Sequence, residues 1–357
     1  MSIDRVYTAT IIGGGSAGNL SLKALRASPR FRTLAVADVR ESARTQIATD
    51  YPGVRTFATH DEMFRACPAD VVCVATYPPS HAPLTLAALA AQPLRGLLVE
   101  KPLADTTAAA SELLAAIKVR RLPVAVPHGL LVSPHALDIL RRVHAGEIGA
   151  LQLVDIRNRQ WDLLSAGIHW LNFCVRLLGP DPVVSALAAC DTSTRTYRDG
   201  VQAETEAVSY FQTKAGVRLV LHTGDTVDTG APGKGLRFLL VGSAGTIEFW
   251  GWEANYRVTN AAHPAGELFS APLTGRTRHQ VHLENLAAQM DAGTTDYGVA
   301  ESSLAALELV EAAYLSHRRR CLVRLPLATF TPPALTDWDA GRPYAGTGGG
   351  RDGRKLS

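Results

Sequence analysis

The sequence predicts an α/β protein in two parts: a doubly wound parallel sheet at the N-terminus, then a domain built on an antiparallel or mixed sheet with a few helices. Three observations carry this prediction. Over the first third, nearly continuous apolar runs alternate with Ala/Leu-rich helical stretches. A glycine-rich turn sits between the first run and the first helical stretch. Beyond residue 126, hairpin signals replace the alternation of runs and helices. A length of 357 residues allows roughly two domains.

The expected buried strands are Thr8–Ile12, Leu34–Ala37, Val71–Ala75, Leu97–Val99 and Val124–Val126. Stretches such as Ser80–Ala91 and Thr106–Arg120 are long enough for crossover helices, which completes a βαβ pattern. The second part reads as strands Ala203–Thr213 and Val217–His222 around a turn ending at Gly216. Arg237–Val241 and Thr246–Trp250 flank Gly242-Ser243-Ala244-Gly245, a hairpin signal. Leu304, Leu307, Val310 and Tyr314 follow helical spacing, and a strand Cys321–Leu325 is expected after them. This gives a nucleotide-binding domain over 1–125, a substrate and oligomerisation domain over 126–330, and a flexible Pro/Gly-rich tail over 331–357.

Composition removes several function classes. A net charge of +3 is too balanced for nucleic acid as the main partner. No apolar run of about 18 residues predicts a membrane span. The N-terminal residues lack a basic region followed by an apolar stretch, so a cytoplasmic location is expected. Five scattered cysteines read as core thiols in a reducing compartment, and no cluster has metal-ligand spacing, so no metal is expected.

Four motifs carry chemistry. Gly13-Gly14-Gly15-Ser16-Ala17-Gly18 matches GxGxxG after an apolar strand and before a helix, where glycines bring backbone close to a pyrophosphate. Asp38 ends the next strand, 20 residues after Gly18. A carboxylate there accepts hydrogen bonds from ribose hydroxyls and repels a 2′-phosphate, which favours NAD over NADP; Arg40 close by softens that preference. A strand-end turn residue is the bland reading of Asp38. Glu100-Lys101-Pro102 follows the strand Leu97–Val99, at the carboxyl end where ligands of open α/β sheets bind. A lysine there reaches a reacting hydroxyl or carbonyl, and burial lowers its pKa toward useful values. His169, in Ser165-Ala166-Gly167-Ile168-His169-Trp170-Leu171-Asn172, stands in an apolar helical stretch, where a satisfied core histidine is the competing reading.

Together these elements resemble the glucose–fructose oxidoreductase/inositol dehydrogenase (Gfo/Idh/MocA) family, over roughly residues 6 to 326. The glycine loop and Asp38 match its nucleotide site. Thr76-Tyr77-Pro78-Pro79-Ser80-His81 resembles its threonine–proline–histidine segment, Glu100-Lys101-Pro102 its EKP motif, and Gly146-Glu147-Ile148-Gly149 its GxIG turn. Gly167-x-His169 matches the core of DxGxHxxD, and Gly242-Ser243-Ala244-Gly245 a recurrent hairpin. The resemblance implies a Rossmann domain plus a C-terminal α/β domain with an open, mainly antiparallel sheet. It implies a carbohydrate-like substrate between the domains, and a homodimer or homotetramer formed through the open sheet face. Lys101 and His169 would be catalytic; Gly13, Gly15, Ser16, Ala17, Gly18, Asp38, Arg40, Thr76, His81, Glu100 and Lys101 would hold NAD.

The chain departs from DxGxHxxD at both acids, which are Ser165 and Asn172 here. Serine holds no negative charge, and asparagine orients a histidine without stabilising its cation. Asp162 offers a replacement carboxylate if the stretch is helical, although the spacing favours an N-cap aspartate bonding the Ser165 amide. His128, Trp161, Asp162, Ser165 and Asn172 are therefore candidate substrate contacts, with Arg157, His222 and Asp225 as weaker ones. The activity implied is an NAD-dependent dehydrogenase acting on a sugar, polyol or sugar derivative. A redox-neutral lyase or glycosidase using transient oxidation, and a non-catalytic NAD-binding regulator, remain as alternatives.

Overall fold

A computed structural model describes residues 5–191, 198–272 and 274–332. The tail expected over 331–357 lies, but for its first two residues, outside them. Six strands form the first sheet: Tyr7–Ile12 (β1), Phe31–Ala37 (β2), Arg55–Phe57 (β3), Val71–Val74 (β4), Gly96–Val99 (β5) and Val124–Ala125 (β6). They pair in the order β3-β2-β1-β4-β5-β6, all parallel. The order reverses beside β1, which is the topological switch of a Rossmann sheet. Strands β4 and β5 are buried at every residue, because helices cover both faces of a parallel sheet and only unbroken apolar sequence tolerates that. The intervening helices are Ser16–Ala27 (α1), Glu41–Asp50 (α2), His60–Ala66 (α3), Pro78–Ala91 (α4) and Thr107–Val119 (α5).

After β6 come helix Pro134–His144 (α6), strand Leu151–Arg159 (β7), a π-helical turn Leu163–Gly167 and helix Ile168–Leu178 (α7). Strands Val183–Asp191 (β8), Glu206–Thr213 (β9), Arg218–Gly224 (β10), Leu236–Gly242 (β11), Gly245–Phe249 (β12), Asn255–Asn260 (β13) and Glu267–Ser270 (β14) follow. Helices Arg278–Ala292 (α8) and Gly298–Arg319 (α9) and strand Val323–Arg324 (β15) close the fold. The second sheet runs β14-β13-β12-β11-β7-β10-β9-β8-β15. Only β7 and β10 pair in parallel; the other neighbours are antiparallel. Strands β9, β10 and β11 alternate buried and less buried residues, so one face of this sheet packs and the other stays open.

Two sequence motifs meet in this second half. The turn at Gly149, at φ +73°, packs on the β11–β12 hairpin, and a side chain at Gly242 would place its Cβ 2.1 Å from the Ile148 carbonyl oxygen. The chain also returns to its first half. Leu283, Leu286, Ala287 and Met290 of α8 share a core with Tyr7, Ile11, Leu22, Leu25 and Leu98. A helix late in the sequence thus covers the first sheet and brings its N-terminus beside the carboxyl ends of the first-sheet strands. The two-residue β15 is shorter than the Cys321–Leu325 strand expected; it pairs only with Ala186 and Ser185 at the edge of β8.

Candidate active site

The glycine loop is shaped by backbone contact. Gly13 sits at φ +100°, and a Cβ there would lie 2.3 Å from the Ala75 carbonyl oxygen. A Cβ at Gly18 would lie 1.9 Å from the Gly13 carbonyl oxygen, so only glycine lets α1 approach the loop. Gly15 caps α1 without a side-chain hydrogen bond, and the first turn holds no acidic residue. The leading N–H groups of α1 are therefore open to an anion, and this cradle fits the pyrophosphate of a dinucleotide.

Asp38 stands at the end of β2, nearly buried, and its carboxylate is saturated. Oδ2 accepts from the Gly14 N–H (2.7 Å) and Arg40 Nη2 (2.9 Å). Oδ1 accepts from the Arg40 N–H (2.8 Å) and Nε (3.1 Å). Although desolvation opposes it, these hydrogen bonds hold the carboxyl below its ordinary range. Thr76 accepts a hydrogen bond from Ser80 Oγ at 2.7 Å. His81 is buried between two carbonyls, with Nδ1 2.6 Å from Pro102 O and Nε2 3.0 Å from Thr76 O. It ties the loop after β4 to the loop after β5.

The Glu100-Lys101-Pro102 segment leaves β5 into the space between the sheets. Lys101 Nζ donates to the Ser165 carbonyl oxygen at 2.8 Å. Burial pushes its pKa below the ordinary lysine value, against the pull of Glu100, Asp199 and Asp162. Glu100 is buried and accepts from His279 Nε2 at 2.8 Å. Desolvation opposes ionisation of that carboxyl, yet His279 and Lys101 together hold its pKa low.

His169 opens α7 and packs edge-on against His128, with centroids 5.2 Å apart, and against Trp252, at 5.7 Å. Its Nδ1 is buried with no hydrogen-bond partner. Burial first, and the Lys101 charge next, press its pKa well below the ordinary histidine value, so the ring is neutral. His128 is fully buried, its Nε2 2.8 Å from Ser303 Oγ, and its pKa falls for the same reasons.

The other candidates are placed as follows. Asp162 Oδ1 accepts from the Ser165 N–H at 2.6 Å, and Oδ2 pairs with Arg198 at 3.0 Å. Both oxygens are engaged and the side chain is fully buried, which is the capping arrangement. Ser165 serves Lys101 through its carbonyl. Asn172 Nδ2 donates to Ser302 Oγ at 3.0 Å and makes no hydrogen bond to His169. Trp161 is exposed, with the Arg198 guanidinium 4.7 Å above its ring. His222 pairs with Glu206 at 2.9 Å, and Arg157 approaches Asp155.

Sequence reading missed several participants. Buried Glu204 accepts from the Leu163 N–H and from the Tyr314 hydroxyl, both at 2.6 Å, and so anchors the π-helical turn that presents the Ser165 carbonyl. His279, Arg278 and Trp252 reach the site from segments with no motif. A cavity of about 610 Å³ opens beside His169, bordered by Trp252, Arg278, His279 and, from α1, Leu20. Its size suits a small-molecule site. Among the described residues no group of three or more metal-ligating side chains occurs, and no helix is long and apolar enough to cross a membrane.

A six-stranded parallel sheet with an open glycine cradle, followed by a second, mostly antiparallel sheet, defines the class: an α/β protein with a dinucleotide-binding Rossmann fold at its N-terminus. Residues 8–128 match the Gfo/Idh/MocA oxidoreductase family in its NAD-binding Rossmann fold. Inositol 2-dehydrogenase of Rubrobacter xylanophilus is 28% identical over 171 residues, which cover 44% of this chain and 48% of that one. The chain thus spans about half the length of the curated relative it matches. An oxidoreductase of Agrobacterium radiobacter, solved in complex with NAD+, L-tartaric acid and magnesium, superposes with a TM-score of 0.74 at 18% identity, covering 89% of this chain and 98% of that one. An aldose-aldose oxidoreductase of Caulobacter crescentus, complexed with glycerol, gives 0.75 at 18% identity, with 90% and 100% covered. Residues 8–128 thus resemble the NAD-binding Rossmann fold of the Gfo/Idh/MocA oxidoreductases, and NAD is the cofactor class of that fold.

Proposed function

We propose that this protein is an NAD-dependent dehydrogenase that interconverts a secondary alcohol and a ketone on a sugar, cyclic polyol or sugar derivative. The observation that carries the reading is Lys101: a buried lysine with a lowered pKa, fixed by the Ser165 carbonyl at the carboxyl end of β5, beside a neutral His169. The inositol dehydrogenase and aldose oxidoreductase among its relatives support the substrate class.

Bound NAD supplies the hydride acceptor. Gly13, Gly15, Ser16, Ala17 and Gly18 would hold its pyrophosphate at α1, and Asp38 its adenosine ribose once the Arg40 guanidinium moves aside. Glu100, fixed by His279, sets the direction in which Lys101 leaves the strand. As an ammonium, Lys101 stabilises negative charge that develops on the substrate oxygen in a water-poor cleft. As an amine, it takes the hydroxyl proton. His169, neutral and with Nδ1 unpartnered, is the acceptor next in line: it would take the proton from Lys101 and release it to water entering the cavity. Asp162 keeps a structural role as the cap of the turn bearing Ser165. Half-exposed Leu187 and Val208 lie on the open face of the second sheet, and pairing of two copies through that face is part of the same reading.

The test is NADH production from NAD with a panel of sugars, inositols, sugar acids and glycosides, with Lys101→Ala as the control. Sustained NADH absent from the variant supports the reading. Substrate turnover with no net NADH overturns it in favour of a closed redox cycle.

A further inference from the structure

We propose that the cavity beside His169 takes a substrate bearing a carboxylate, a uronate or aldonate in class, and that Arg278 is the residue that recognises it. The inference rests on the reading of that cavity as the substrate cleft of a dehydrogenase.

Arg278 is the first residue of α8, inside the cavity wall. Its Nε donates to Ser133 Oγ at 3.0 Å and its Nη2 to the Trp252 carbonyl oxygen at 3.3 Å. Three of its five N–H donors have no partner among the described residues. No carboxylate among the described residues pairs with it, although its neighbours on this wall have acidic partners: Arg276 pairs with Glu284 at 2.8 Å and His279 with Glu100 at 2.8 Å. None of the described residues that border the cavity is acidic. Burial lowers the Arg278 pKa and no charged neighbour offsets it. An unanswered, partly desolvated cation in a cleft is unfavourable until an anion joins it.

The side chain is also fixed in place. It lies 4.3 Å over the Trp252 ring. Gly129 makes room for both: a Cβ there would fall 2.5 Å from Arg278 Cδ and 2.8 Å from Trp252 Cζ3. A guanidinium held by two hydrogen bonds and an aromatic face, with its Nη edge free, matches the fork of a carboxylate. The same cavity wall holds His169, so an acid seated on Arg278 brings its carbinol carbons to the catalytic side.

Calorimetric titration of the NADH-loaded protein with D-glucuronate and D-gluconate, against D-glucose, myo-inositol and D-glucose 6-phosphate, tests this without turnover. The acids are expected to bind at least tenfold more tightly than the neutral compounds. Arg278→Met should abolish that preference, Arg278→Lys should keep part of it, and NADH affinity should stay the same in both. Thermal unfolding of the two variants checks that they fold. Equal binding of acids and neutral polyols overturns the proposal, as do a preference for the sugar phosphate and a preference that survives Arg278→Met. Loss of NADH affinity in Arg278→Met also overturns it, because the guanidinium would then serve the cofactor. An acid that binds through Arg278 but yields no NADH would overturn the dehydrogenase reading and leave the anion site standing.

Discussion

Removal of the Arg40 side chain should move the choice between NADH and NADPH by more than an order of magnitude. All four acceptor positions of the Asp38 carboxylate are filled, two by backbone N–H groups and two by the Arg40 guanidinium. The ribose hydroxyls of NADH need the latter two. The Arg40 side chain is 56% exposed, so its ion pair with Asp38 is screened and contributes about 0.2–1 kcal/mol. Arg40→Ala removes that competitor, and NADH should bind roughly 1.4- to 5-fold more tightly. NADPH needs the same guanidinium for its 2′-phosphate. A charge-assisted hydrogen bond contributes about 1.5–3 kcal/mol, and at this exposure the lower value applies, so NADPH should weaken about tenfold. The ratio of the two dissociation constants should shift by roughly 15- to 50-fold. Titration of nicotinamide fluorescence with wild type and variant measures both constants. A ratio within about twofold of wild type refutes the competition argument.

Four other outcomes are expected. Because burial lowers the Lys101 pKa, the alkaline limb of the kcat–pH profile should fall below the usual lysine value of 10.5, and Lys101→Met should remove it with turnover down about 10²- to 10⁴-fold; an unchanged profile contradicts its role. Asp162→Asn keeps a capping acceptor but breaks the buried ion pair with Arg198, so melting temperature should fall while kcat of the folded variant changes little, whereas a large kcat loss in the folded variant would give the carboxylate a chemical role. Gly18→Ala, which sets Cβ against the Gly13 carbonyl, should lower stability by about 1–3 kcal/mol and lose NADH binding; calorimetry showing both intact would contradict the close approach. Buried His282 titrates near 4 in the fold and near 6.5 unfolded, so it is neutral in both states at pH 7, and stability falls as the unfolded chain takes up its proton between about pH 6.5 and 4. That one group accounts for about 3 kcal/mol, and urea unfolding of His282→Gln should show a shallower pH slope.

Local pattern made the first sheet legible. Runs such as Val71–Val74 are apolar at every position because helices cover both faces, and no other common element needs such a sequence. The glycine loop was legible for a related reason: a backbone approach of 1.9 Å to a hypothetical Cβ leaves no alternative residue. Asp38 and Lys101 stood out as candidates by their positions at strand ends, where the topology gathers ligands. Strands β13 and β14 left little trace: β13 alternates exposed and buried residues and β14 is a four-residue edge strand, so neither has a continuous apolar run.

The sequence by itself determined the nucleotide half, because its constraints are local: period, glycine sterics and the carboxyl ends of strands. Tertiary structure alone decided the substrate side. His279 and Arg278 reach the site only because α8, far along the chain, folds back onto α1 and β5 through Leu283, Leu286 and Met290. Glu204 and Tyr314 converge on the turn at Leu163 from a strand approach and a helix 110 residues apart. Spacing in a sequence carries no record of such long-range contacts, and the charge balance of the cavity exists only once they form.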